Sequence, residues 1–116
     1  VMDSADVVFS YDRAFKADAP HYDPRANAFA RIGMPTIAAW RAEGPNTFIL
    51  ETTRPHSFVP YGLTWVGITH QGAWEAAGRS WDTYLGRAVG TGPWRMESFS
   101  IRERCVMTRF ADYWDA

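Results

Sequence analysis

The chain has 116 residues, which is one domain at most, and its 47% hydrophobic and 22% charged residues exclude a wholly disordered chain. Twelve Lys and Arg against thirteen Asp and Glu leave a net charge of −1. This balance provides no strong field for nucleic acid or an anionic membrane, so neither partner is expected. The apolar runs are far shorter than the ~20 residues that a membrane span needs. Aromatic residues are in excess, with six Trp, five Tyr and seven Phe.

The first part of the chain predicts a helix followed by a loop. Asp3 and Ser4 are good N-cap residues, and the apolar residues that follow have helical spacing, which predicts a helix over residues 4–17. Two prolines four positions apart predict a loop over 21–24, because neither allows a helix to continue. A short helical turn is predicted over 26–32.

Strand periodicity begins at Thr36. Two strands are predicted within residues 36–53, joined by the turn Glu43-Gly44-Pro45-Asn46. A short helix over 57–63, capped by Ser57, and a short strand over 65–69 complete this part of the prediction.

The last third predicts two short helices and a second hairpin. Helix formers occupy residues 71–77 and 80–85, and the first of these segments ends at a glycine, Gly78. A turn-rich connection leads to an antiparallel strand pair predicted over 93–110. Helices mixed with separate hairpins indicate an α/β (mixed α+β) fold with antiparallel hairpins and flanking short helices.

Side chains that could carry catalysis are not grouped in this sequence. His21, His56 and His70 have no metal-ligand spacing, so each is interpreted as a surface or hydrogen-bonded histidine. Gly90-Thr91-Gly92-Pro93 superficially resembles a phosphate-binding loop, but it lacks the following Lys, and its proline removes an amide donor. No catalytic residue, metal or cofactor is therefore predicted.

The aromatic side chains and the single cysteine leave alternatives open. Trp65 lies in a Gly- and Thr-rich stretch and lines either a binding cleft or the core, whereas Trp40 and Trp94 are predicted to pack in the core. Cys105 is interpreted as a buried structural thiol, with a reactive thiol beside Arg104 as the alternative. Four phenylalanines are also expected to face the core: Phe9, Phe15, Phe48 and Phe99.

Four stretches, in this order, resemble the family 5 extracellular solute-binding proteins, the oligopeptide, dipeptide and nickel type that serve ABC importers. Residues 4–13 (SADVVFSYDR) are similar to the family's A-D-D-V-V-F-S-x-x-R helix, and residues 37–55 to its hairpin. Residues 89–94 (VGTGPW) match the P-x-G-T-G-P-[YFW] signature after its first position. Residues 102–114 resemble the segment that follows and ends in D-Y-W.

The resemblance implies a non-enzymatic substrate-binding component of an ABC importer, located in the periplasm or outside the cell at the membrane. It implies a lobe fragment of the type II periplasmic-binding-protein kind, with residues 1–60 in the small extra domain and 61–116 leading into the first lobe. Family members are longer and have two lobes around a cleft, so the chain is expected to be an internal fragment. Such a fragment exposes apolar surface and is expected to self-associate.

The expected partners are a peptide or similar small solute and the ABC permease subunits. The family's ligand-facing segments align with Tyr22 and with Leu63, Thr64 and Trp65, which are the candidate ligand-binding residues. Peptides, opines, sugars and metal chelates all serve relatives. The alternative function is a standalone small interaction domain or an unrecognised hydrolase.

Overall fold

The computed structural model describes residues 1–115 and divides the chain into two compact units. One unit comprises residues 3–68, and the other comprises residues 69–115 together with Val1 and Met2. Helices and antiparallel hairpins make up both, which confirms the mixed α/β class. Within residues 1–115, the helices are too short or too polar to cross a bilayer.

Helix α1 (Ser4–Phe15) confirms the first predicted helix and ends two residues earlier. It begins with a capping box, because the Asp3 carboxylate accepts hydrogen bonds from early backbone N–H groups and the Asp6 carboxylate accepts one from the Asp3 N–H. Helix α2 (Pro24–Gly33) is longer than the predicted turn. Its proline stands in the first turn, where no intrahelical N–H is needed, and Asp23 is its N-cap.

The first hairpin confirms the strand prediction. Strands β1 (Ile37–Ala42) and β2 (Phe48–Thr52) pair antiparallel, with a register shift between Ile37 and Ala39. In the connecting turn Gly44 has a φ of +71°, a conformation that other residues rarely adopt.

The segment after this hairpin differs from the prediction. Helix α3 (Val59–Gly62) falls within the predicted helix, but its N-cap position is Phe58 and not Ser57. The strand predicted over 65–69 is wrong, because residues 63–65 form a 3-10 helix (Leu63–Trp65). A strand requires a hydrogen-bonding neighbour, and each of the hairpins in residues 1–115 is paired only within itself.

The core of the first unit lies between α1, α2 and the first hairpin. Its buried cluster comprises Tyr11, Ala14, Ala30, Met34 and Val66. Burial raises the pKa of Tyr11 to about 12. The predicted core residues Phe15, Trp40 and Phe48 pack against this cluster, and Phe9 is buried. Trp40 also donates from Nε1 to Asp12 Oδ1 at 2.7 Å, which fixes the indole.

In the unit that contains residues 69–115, two short helices contact each other through aromatic rings. Helix α4 (Gln71–Ala76) is capped by His70, and helix α5 (Trp81–Leu85) is capped by Ser80. Both lie within the predicted segments. The rings of Trp74 and Trp81 are 5.5 Å apart and join the two helices.

The second hairpin confirms the predicted strand pair but not the predicted burial. Strands β3 (Trp94–Ser100) and β4 (Arg104–Arg109) pair antiparallel, with a register shift between Met96 and Ser98. This register places six side chains on one largely apolar face, of which Arg109 is the one charged member: Trp94, Met96, Phe99, Cys105, Met107 and Arg109.

Three core predictions on this apolar face are wrong. Trp94 is 57% exposed, Phe99 is 39% exposed, and Cys105 is an exposed free thiol. A two-stranded sheet buries a face only where a further layer covers it, and these side chains remain open to solvent.

Candidate functional site

An open pocket of about 260 Å³ lies in the unit of residues 3–68, beside the C-terminal end of α2. The pocket combines residues from α2, the turn after α2, the loop after β2, α3 and the 3-10 helix. We call it the aromatic pocket, and its lining residues are Ile32, Gly33, Pro35, His56, Phe58, Tyr61, Gly62 and Trp65.

Two glycines allow the elements of the aromatic pocket to approach closely. A Cβ atom on Gly62 would overlap the backbone carbonyl oxygen of Gly33, so α3 and the end of α2 meet backbone to backbone. A Cβ atom on Gly33 would lie 2.6 Å from Cγ of Trp65, so this indole lies directly over the glycine. The position of Trp65 therefore depends on the absence of a side chain at Gly33.

The rings of the aromatic pocket are open to solvent on one side. Phe58 is 65% exposed, Tyr61 is 72% exposed and Trp65 is 47% exposed. The Phe58 ring centroid lies 6.0 Å from that of Tyr61 and 6.4 Å from that of His56. Flat side chains of this kind offer a bound group a large contact area at a small cost in conformational entropy.

The three histidines are all hydrogen-bonded, which agrees with the interpretation of each as a surface or hydrogen-bonded histidine. His56 Nδ1 lies 2.8 Å from the hydroxyl of the buried Thr36, and this contact fixes the imidazole at the edge of the aromatic pocket. His21 Nε2 lies 3.1 Å from the carbonyl oxygen of Phe9, and burial lowers the pKa of His21. His70 Nδ1 accepts a hydrogen bond at the start of α4. Residues 1–115 contain no group of three or more His, Cys, Asp and Glu arranged to hold a metal ion.

The lining of the aromatic pocket has few polar groups. Among residues 1–115, those that line the pocket include no Asp, Glu, Lys or Arg. They also include no Ser, Thr or Cys that could act as a nucleophile. The lining is therefore largely aromatic and apolar, with the His56 imidazole at its edge.

The structure brings three of the four predicted site residues together on one helix. Trp65 lines the aromatic pocket, and Leu63 and Thr64 precede it on the 3-10 helix without lining the pocket. Leu63 is 43% exposed and remains available for contact. The Thr64 hydroxyl donates to the carbonyl oxygen of Tyr61 at 2.7 Å, so it is engaged within the protein.

Tyr22 lies at the other end of α2. It is half-buried in the loop before this helix, where its N–H donates to the carbonyl oxygen of Ala19 at 3.0 Å. The ten residues of α2 span about 15 Å, because an α-helix rises 1.5 Å per residue. Tyr22 and Trp65 therefore do not belong to one small pocket.

Sequence reasoning missed most of the pocket lining. Phe58 and Tyr61 have helical spacing on a proline-containing segment that ends at Gly62, and this spacing was the available signal for an exposed aromatic pair. Ile32 and His56 lie on segments far from Trp65 in sequence, so only the folded chain brings them to the same site.

Comparison with known proteins identifies the family of this chain. The family model of the bacterial extracellular solute-binding proteins, family 5 Middle, matches residues 2–116. Searches of curated proteins and of solved structures returned no significant match. The family has a solute-binding role in ABC import and is non-enzymatic in general. The match covers nearly the whole chain, and the chain therefore belongs to the family 5 bacterial extracellular solute-binding proteins.

Proposed function

We propose that this chain contributes one wall of the solute site of an ABC-importer binding protein, and that the solute contacts the aromatic pocket. The solute is a peptide or a similar small molecule, bound in the periplasm and delivered to the membrane permease. The observation that carries the proposal is the position of Trp65, whose indole lies over Gly33 with 47% of its surface exposed. A half-exposed indole in a preformed pocket is a typical ligand contact.

The size of the pocket supports the proposal that it contributes one wall of the solute site and does not enclose the whole solute. Its volume of about 260 Å³ is below the roughly 300–1,000 Å³ of pockets that enclose a whole drug-sized ligand. The remaining contacts of the solute then come from other segments of the protein. On the proposed division, with residues 1–60 in a small domain and 61–116 leading into the first lobe, the lining residues come from both sides of this boundary.

The four candidate residues remain proposed ligand contacts with different parts of the solute. Leu63, Thr64 and Trp65 are close enough for one group of the solute to reach more than one of them. Tyr22 lies about the length of α2 away, so only an extended solute reaches both ends. A short peptide has the required length, since an extended chain spans about 3.3 Å per residue.

Substitution of Trp65 by Ala is expected to weaken solute binding by about 10- to 100-fold. The loss corresponds to the roughly 1–3 kcal/mol of a buried aromatic anchor. A thermal-shift screen of peptides, sugars and metal chelates on the full-length protein selects the solute, because a ligand of the native state raises the melting temperature. Calorimetry with that solute then compares the variant with the wild type.

The matched control is Trp65→Phe, which keeps a flat ring over Gly33 and is expected to retain most of the affinity. The melting temperature of each variant without solute reports on folding. Unchanged affinity in Trp65→Ala, together with a lowered melting temperature, would assign Trp65 to the core and contradict the proposal.

A further inference from the structure

We propose that the aromatic pocket receives one uncharged, apolar side chain of a peptide solute and disfavours acidic and basic side chains. This inference rests on the proposed function, and it adds the class of side chain that the pocket selects. Two observations support the inference: the absence of Asp, Glu, Lys and Arg from the lining among the described residues, and the small volume of the pocket.

The charge of the lining excludes an ionised side chain. In the part of the chain that the structure describes, the lining offers no carboxylate to a basic group and no guanidinium or ammonium to an acidic group. His56, the one imidazole, is held by its Nδ1 contact with Thr36. An ionised side chain would lose water on entry and gain no opposite charge, which is unfavourable.

The size and shape of the pocket favour a single apolar side chain. The volume of about 260 Å³ is too small for a whole drug-sized ligand. Ile32, Phe58 and Tyr61 are between 65% and 72% exposed, so a side chain placed among them removes their apolar surface from water. The indole of Trp65, which lies over Gly33, adds a flat surface to the lining.

The preference is tested on the full-length protein by calorimetry with tripeptides. The probes are Ala-Ala-Ala and its variants with one Phe, Asp or Lys at each of the three positions. At the position that occupies the pocket, the Phe peptide is expected to bind about tenfold or more tightly than the Asp or Lys peptide, a difference of about 1.4 kcal/mol. Trp65→Ala is expected to reduce this preference to about threefold or less.

A second variant tests the charge argument without removing core packing. Ile32 is 68% exposed, so Ile32→Glu places a carboxylate at the pocket with little effect on folding. This variant is expected to bind the Phe peptide about tenfold more weakly and the Lys peptide more tightly than the wild type. The matched control is Phe29→Glu, because Phe29 is 62% exposed on the same helix and does not line the pocket. It is expected to leave the Phe preference unchanged.

The outcomes separate this inference from the function on which it rests. Equal affinity for the Phe, Asp and Lys peptides overturns the inference and leaves peptide binding intact. A Phe preference that persists in both Trp65→Ala and Ile32→Glu places the selective site elsewhere and also overturns it. If no tripeptide binds while a sugar or metal chelate does, the peptide part of the proposed function fails, and the inference fails with it.

Discussion

Asp23→Ala is expected to lower the free energy of unfolding by about 3 kcal/mol. The Asp23 carboxylate is 3% exposed and accepts hydrogen bonds from Arg13 Nη2 at 2.9 Å and from the Arg25 backbone N–H at 3.0 Å. The first contact joins α1 to the start of α2, and the second is the N-cap of α2. Breaking a buried ion pair costs about 3–5 kcal/mol and losing an N-cap about 1 kcal/mol, and the partial exposure of Arg13 reduces the first figure.

Urea unfolding measures this loss. The control is Asp18→Ala, because Asp18 is exposed in the loop after α1 and its replacement is expected to change stability by less than about 0.5 kcal/mol. Equal midpoints for the two variants would contradict a structural role for Asp23.

The same carboxylate makes stability depend on pH in the acid range. Burial raises the pKa of Asp23, but the hydrogen bonds from Arg13 and Arg25 outweigh burial and hold the pKa below its usual value of 3.8. The ionised form is thus favoured in the folded state. Its contribution is complete above the unfolded pKa and is lost as the pH falls through the folded pKa.

Asp23→Asn isolates this contribution. The stability difference between wild type and Asp23→Asn is expected to be constant above about pH 5 and to shrink below about pH 4. Urea unfolding at a series of pH values measures the difference. A difference that stays constant down to about pH 2 would show that the charge of Asp23 has no part in stability.

The sequence predicted the elements whose signals are local. The capping residue Asp3 and the apolar spacing after it predicted α1 to within two residues of its end. Both hairpins followed from strand periodicity bounded by turn residues. The strand predicted over 65–69 failed because a strand depends on a neighbour elsewhere in the chain, and local periodicity does not report that neighbour.

Burial in the second hairpin could not be predicted from the same signals. Strict alternation would place Trp94 and Phe99, which are five positions apart, on opposite faces of the strand. Only the register shift between Met96 and Ser98 brings them to the same face, and local periodicity does not report such a shift. Whether the face is covered depends on a separate layer, and the exposure of Trp94 and Phe99 shows an open face. The family resemblance was confirmed by the family model, whereas strand periodicity alone gave wrong burial for this hairpin.

The candidate site was predictable only in part. Trp65 was selected because glycine and threonine surround it, and such a stretch allows the backbone to approach a partner closely. The partner it approaches, Gly33, lies on another helix, and no local pattern relates the two positions. The pocket therefore arises from a tertiary contact between α2 and the segment from α3 to the 3-10 helix.

Gly62→Ala tests this tertiary contact and is expected to lower the free energy of unfolding by about 1–3 kcal/mol. The added methyl group would overlap the carbonyl oxygen of Gly33 and lie 2.9 Å from Cγ of Met34, a side chain of the buried core. A backbone carbonyl cannot rotate away as an exposed side chain does, so α3 must move away from α2. Thermal unfolding measures the loss of stability, and calorimetry with the selected solute is expected to show weaker binding.

The control for this variant is Gly67→Ala. A Cβ atom on Gly67 has no neighbour within 4 Å, and Gly67 has no positive φ, so this change is expected to alter stability by less than about 0.5 kcal/mol. The two variants add the same methyl group at positions five residues apart. At position 62 the methyl group overlaps the backbone of Gly33, whereas at position 67 it has no neighbour within 4 Å. If Gly62→Ala unfolds at the same temperature as Gly67→Ala, the close approach of α2 and α3 does not hold the aromatic pocket together. If Gly62→Ala alone is destabilised and also binds solute more weakly, the contact that stabilises this unit is also the contact that positions Trp65.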